Sequence, residues 1–370
     1  MSVRPVPLPD NLPPHLGLSN EIEGIRRAYS TLLKIQKYIS SSIGTRGTRE
    51  QQRLKLMRVR ILGYLILTGP SLTAREFVAK EVNSYREDQD EIDKFGEMFF
   101  LHYLRIFRKY GGRTPASSRS SCNAFETRKE MMIKMLREAD QPPQNRREAK
   151  RLALVRDNFQ CVVSGRYDSN SVVTNDELEA KVLGEDLPMG ITHCAHIFPD
   201  SINRNISDSR DKVCCHDPHA ASIWAILGYF GYENLPKWLK GSGIHALDNV
   251  MTLDSACHDW FDRLLLWFEA EGSPDTYTVK ATKELITLTT DSDLPLPDPA
   301  YLEIHAACCR VTHLSGAGEY MDEVLEDLED TRVLSEDGSS AHLLSFVLQQ
   351  EVIASCTAMS TDSTRRTSTS

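Results

Sequence analysis

Between Glu21 and Ile39 apolar residues return at helical spacing, at Ile22, Ile25, Tyr29, Leu32, Leu33 and Ile35. That period marks one face of a helix, predicted from about Leu18, with Ser19 or Asn20 as its cap, to about Ile39. Leu54, Met57, Ile61 and Leu65 form a second stripe, which begins near Arg49 and stops at Gly69-Pro70. Ser71 and Thr73 are cap candidates for a third helix carrying Phe77, Val78 and Val82. A fourth, over residues 90–108, shows Ile92, Phe95, Phe99, Leu104 and Phe107. The Ser-rich residues 111–122 read as a linker, residues 125–140 as a further helix, and Gln141-Pro142-Pro143-Gln144 as a boundary. The pattern predicts a helical domain over residues 1–145 whose stripes are core.

Beyond the boundary the pattern shortens. Residues 191–198 form a β-like run ended by Pro199, and Asn249 opens another over residues 250–253. An insertion of about residues 203–245 separates the two runs. It holds C-C-H-D-P-H (214–219), which does not match a standard zinc knuckle. A helix over residues 220–232 with Trp224 and Tyr229 follows, expected with Trp238 to brace or cover a site. Residues 301–314 read as a helix packing back on this second region. Residues 317–370 hold 11 Asp+Glu against 3 Lys+Arg and form an acidic, partly disordered tail. The fold class is therefore α+β: a helical N-terminal domain, a small mixed domain over residues 146–316, and the tail.

Chemistry gathers in the second region. His196 can project from a strand as a base near neutral pH. His258 and Asp262 stand four apart, so a helix would place imidazole and carboxylate on one face. Such a pair suits Mg²⁺, Mn²⁺ or Zn²⁺. Phe261 between them reads as a core anchor, and His193 alternates to the same strand face as Ala195.

The order T-H-C-A-H-I-F-P, L-D-N-V-M-T-L and H-D-W-F-D resembles the HNH (ββα-metal, His-Me finger) endonucleases. R-D-N-F-Q-C-V-V-S-G (156–165) is similar to the segment opening many such domains, and P-D-P-A-Y-L-E-I-H to a tail of fungal members. The resemblance implies a metal-dependent DNA endonuclease with His196 and Asn249 catalytic and His258 and Asp262 holding one divalent ion. Ala195 stands where many members carry a metal-binding acid or histidine, which leaves His193 as a substitute ligand. It also keeps open a catalytically degenerate nucleic-acid or protein-binding module. Cys161 is expected near the site as a structural residue. Ser164 occupies the position of a C-x-x-C partner, so no zinc knuckle is expected there.

Net charge changes the picture of the partner. The whole chain is −9, but residues 1–150 carry 27 Lys+Arg against 17 Asp+Glu (+10), and the remainder carries 16 against 35 (−19). The basic half could supply phosphate affinity. Nine cysteines without regular spacing point to a reducing, intracellular setting, nucleus or cytoplasm, and no apolar run approaches a membrane span.

Overall fold

The computed structural model describes residues 5–13, 21–41, 46–108, 143–205 and 223–330. The predicted stripes become α1 (Glu21–Ser41), α2 (Arg46–Thr68), α3 (Leu72–Ser84) and α4 (Gln89–Phe99). Ser71 rather than Thr73 caps α3, its hydroxyl accepting from Ala74 N at 3.0 Å. Asp88 caps α4 by accepting from Asp90 N and Glu91 N. A π-helical turn, Phe100–Leu104, and a short stretch, Arg105–Phe107, extend α4. Gly96 lets α4 approach α2, since a Cβ there would lie 2.7 Å from the Arg58 carbonyl oxygen.

The second region runs α5 (Arg146–Arg156), β1 (Tyr167–Asp168), α6 (Ser169–Val173), α7 (Asp176–Gly184), β2 (Met189–Gly190) and β3 (Thr192–His196). Then come α8 (Ile223–Tyr229), α9 (Leu235–Leu239), 3-10 turns at Gly241–His245 and Leu247–Asn249, β4 (Val250–Asp254) and α10 (Ser255–Asp262). A meander of β5 (Phe268–Ala270), β6 (Thr276–Val279) and β7 (Glu284–Thr287) precedes α11 (Pro299–Ser315) and α12 (Ala317–Asp330).

The hairpin of β3 and β4 is the centre of this region. The strands pair antiparallel, with His193 opposite Leu253 and His196 opposite Val250. One face, with Ala195, Met251 and Leu253, joins the large core that also contains the N-terminal helices. The other, with Cys194 and Val250, packs on Ala149, Leu152 and Ala153 of α5. All five residues of β4 are buried, so the strand is covered on both faces.

Three expectations meet a different packing. The insertion helix α8 does not cover the hairpin; Tyr229 stacks on Phe77 at 4.4 Å between ring centroids, and the following Phe230 on Phe99 at 5.9 Å. Trp238 is 55 % exposed. α11 packs along α2, and the Tyr103 hydroxyl donates to Ile304 O at 3.0 Å, so this helix belongs to the helical layer as much as to the hairpin region. The acidic segment from residue 317 begins as α12, which buries Ala317, Met321 and Val324. The expected helix over 125–140, the C-C-H-D-P-H run and residues 331–370 lie outside the described residues. No helix among the described residues is long and apolar enough to cross a membrane.

Candidate active site

A buried ion pair fixes the frame. Arg156, at the end of α5, is fully buried and holds Asp157 through two contacts of 2.7 and 3.1 Å. The same guanidinium donates to Leu247 O, Val250 O and Pro295 O. Asp157 Oδ2 in turn accepts from Thr252 N at 2.9 Å. A charge pair this deep is tolerated because nearly every donor and lone pair finds a partner. It ties α5, β4 and the turn before β4 into one body.

Asn249 completes that turn. It is fully buried, accepts from Phe198 N at 2.8 Å, and donates to Phe198 O and Ile244 O at 3.1 and 2.8 Å. The amide therefore pins the chain leaving β3 to the chain entering β4, with one acceptor and two donors that no other side chain of that size offers. Asp168 does similar work at the start of β3, accepting from Thr192 Oγ1 at 2.6 Å and from Ser171 N at 2.9 Å.

His196 ends β3, 3 % exposed. Its Nε2 lies 3.1 Å from His245 Nδ1, so one ring must donate and the other accept. Asp200 Oδ1 stands 3.9 Å from both rings, buried and without a hydrogen-bond partner among the described residues. His245 comes from the insertion, and Asp200 from the 3-10 turn after Pro199. The sequence reading missed both. The spacing of four from His196 to Asp200 was visible, whereas nothing local signals His245.

His258 and Asp262 share one face of α10, with Nε2 and Oδ2 3.5 Å apart. His193 stacks on His258 at 5.1 Å between centroids and meets Ser255 Oγ at 3.1 Å. Burial, then Lys150 and Arg146, lower the pKa of His193 and so favour its neutral ring. Lys150 Nζ donates to Thr192 O at 2.9 Å, placing that cation on the open edge of β3. Phe261 points away from these groups into the core, stacking on His305 at 4.0 Å. Among the described residues, no donor group joins His196 to His258; His196 closes with Asp200 and His245.

Cys161 is buried, and its partner comes from α10 rather than from C-x-x-C spacing. Cys161, Asp254 and Cys257 place their ligand atoms within 4.8 Å of one another. The Cys257 thiol donates to Cys161, and Ser164 N donates to the same sulfur at 3.3 Å; together they hold Cys161 below the usual thiol range. Cys257 is pushed up correspondingly. Asp254 caps α10 through Oδ1, which accepts from Ala256 N and Cys257 N at 2.9 Å each. Its Oδ2 accepts from Ser164 Oγ at 2.5 Å. Gly165 closes this turn at φ +67°, a conformation that favours glycine.

Residues 161–269 match the family model described as HNH endonuclease. Neither the comparison with curated proteins nor that with solved structures gives a match. The matched stretch opens on Cys161 and contains every residue of the two histidine groups.

Proposed function

We propose that the stretch 161–269, which matches the model described as HNH endonuclease, hydrolyses phosphodiester bonds in DNA with one divalent ion, magnesium, manganese or zinc. The observation that carries the reading is the presence in the family stretch of two polar stations beside one hairpin, each with a histidine of β3. One is His196 with His245 and Asp200; the other is His258 with Asp262 and His193.

His258, Asp262 and His193 would hold the ion. Imidazole nitrogens beside a carboxylate suit the three metals named, and the 3.5 Å between His258 Nε2 and Asp262 Oδ2 lets both donors turn to one cation. His193 stands in for the acid absent at Ala195. When bound, the ion supplies positive charge to a phosphate oxygen and to the leaving oxygen.

His196 acts as the general base. It takes a proton from water, whose oxygen forms the new bond to phosphorus while the bond from phosphorus to the leaving sugar oxygen breaks. His245 fixes the ring and its tautomer. Asp200 Oδ1, an acceptor left open beside both rings, stabilises the imidazolium, and its side chain, 40 % exposed, offers the proton a way to solvent. Asn249 positions the base by locking the backbone just beyond it. Basic side chains of the N-terminal half, with Lys150 at the edge of β3, supply phosphate affinity.

Calorimetric titration with Mn²⁺ separates the roles. His196→Ala should keep the metal affinity of the native chain, whereas His258→Ala should lose it. Loss of the metal in His196→Ala would move the ion to the His196, Asp200 and His245 group and remove His196 as base. The second reading, a binding module on the same frame, is favoured by Ala195 and is tested by duplex binding without cleavage.

A further inference from the structure

The cluster formed by Cys161, Ser164, Asp254 and Cys257 takes no part in the chemistry above. Its residues come in two pairs. Cys161 and Ser164 lie three apart on the turn after α5, and Asp254 and Cys257 lie three apart at the start of α10. The two short segments face each other, with Val162 N donating to Thr252 O at 3.0 Å beside them. Cys161, Asp254 and Cys257 are 1 %, 7 % and 6 % exposed.

Three features set this group apart from ordinary buried cysteines. First, the two sulfurs and a carboxylate oxygen lie within 4.8 Å of one another; donors on one tetrahedral zinc ion are roughly 3.5 Å apart, given metal–ligand bonds of about 2.0–2.3 Å. A small contraction would close the set. Second, Asp254 Oδ1 is committed to the helix cap, while Oδ2 accepts from the Ser164 hydroxyl, and the carboxylate also meets the Cys257 thiol. A cation on Oδ2 leaves the cap intact, and Ser164 can keep its hydrogen bond from outside or turn its oxygen inward as a fourth donor. Third, Ser164 and Gly165 are exposed, so an ion can enter and a water can reach the fourth position. Cys194, Cys308 and Cys309 are also free and buried, and none of them joins a group of three donors among the described residues.

We propose that Cys161, Cys257 and Asp254 bind a thiophilic divalent cation of the zinc type, with the Ser164 hydroxyl or a water as fourth ligand. Two sulfurs select this class over magnesium or calcium. Zinc takes both sulfurs as thiolates, so the thiol protons of Cys161 and Cys257 leave to solvent on binding. The ion would clamp the turn after α5 to the first turn of α10, one residue before His258. Its role is structural and separate from the divalent ion proposed for His258 and Asp262.

The test uses the full chain purified under reducing conditions and loaded with zinc or cobalt alone. Elemental analysis should find about one zinc that survives in His258→Ala and in the double variant Cys214→Ser/Cys215→Ser. The cobalt form should show a sulfur-to-cobalt charge-transfer band. Cys161→Ser and Cys257→Ser should each lose that zinc and that band. Asp254→Asn, which still caps the helix because asparagine caps as well as aspartate, should keep its circular dichroism and bind zinc at least tenfold more weakly. A native chain that takes up no zinc, or Cys161→Ser and Asp254→Asn proteins that hold it as tightly as the native chain, would overturn the site. A Cys161–Cys257 disulfide in the reduced, zinc-loaded protein would do so as well.

Discussion

The helical layer and the hairpin region are held together by different physics. In the layer, Phe99, Tyr103 and Phe230 are buried among one another, with ring centroids 5.5 to 6.5 Å apart. Each such side chain contributes about 2–3 kcal/mol of apolar burial, and neighbouring apolar residues can share a loss. Around the hairpin the apolar faces are joined by a set of buried polar residues: Arg156, Asp157, Asp168, Asn249, His196 and His258. There, specific partners hold the chain, and a missing partner leaves an unsatisfied group. The layer supplies bulk stability, whereas the hairpin region spends buried polarity on placing histidines.

Arg156→Ala breaks this comparison hardest. It strands Asp157 and three backbone carbonyls in the interior, and removing one partner of a buried pair costs about 3–5 kcal/mol. Urea denaturation should show that loss, and a change below about 1 kcal/mol would mean the pair is not the frame of the site. Asn249→Ala comes next. Two carbonyls and one amide lose their partner, and roughly 2–3 kcal/mol should go, together with most of the activity, because the turn beyond His196 is released.

The smallest effect lies in the helical layer and depends on pH. His313 on α11 donates to Leu264 O at 2.8 Å. Burial, with Arg108 nearby, lowers its pKa, against smaller opposing effects from that hydrogen bond and Asp322. An unfolded histidine takes its proton near pH 6.5, while the folded ring resists it. Stability from this residue is therefore complete above that value and is lost as pH falls towards the lower folded pKa. His313→Gln should flatten the decline in melting temperature between neutral and mildly acid pH; an unchanged slope would assign the decline to other groups.

How much of this was legible follows from how local each feature is. The stripes of α1 to α4 could be read because helix periodicity is a property of neighbours in sequence, and the boundaries fell within a few residues. The pairing of His258 with Asp262 was legible for the same reason, a spacing of four on one helix. The contact of His245 with His196 spans 49 residues, and Cys257 meets Cys161 across 96 positions; no spacing rule reaches that far. The R-D dipeptide at Arg156 was read as part of an opening segment, but its burial depends on β4 and Pro295 closing over it. The insertion was expected over the site because its aromatic residues asked for cover. They found it on Phe77 and Phe99 instead. For the same reason residues 1–108 cannot be cut away to test the basic charge, since α11 and α8 would lose the surface they pack on.

The most direct measurement of the central claim is nicking of supercoiled plasmid DNA by the full chain, with Mg²⁺, Mn²⁺ or Zn²⁺ added and with all divalent ions chelated. The account predicts cleavage that needs the metal and falls at least about 100-fold in His196→Ala, the scale expected for losing a general base, while that variant still binds the plasmid. A native chain that binds DNA and leaves it intact with all three metals, or a His196→Ala protein that cuts at the native rate, would contradict it.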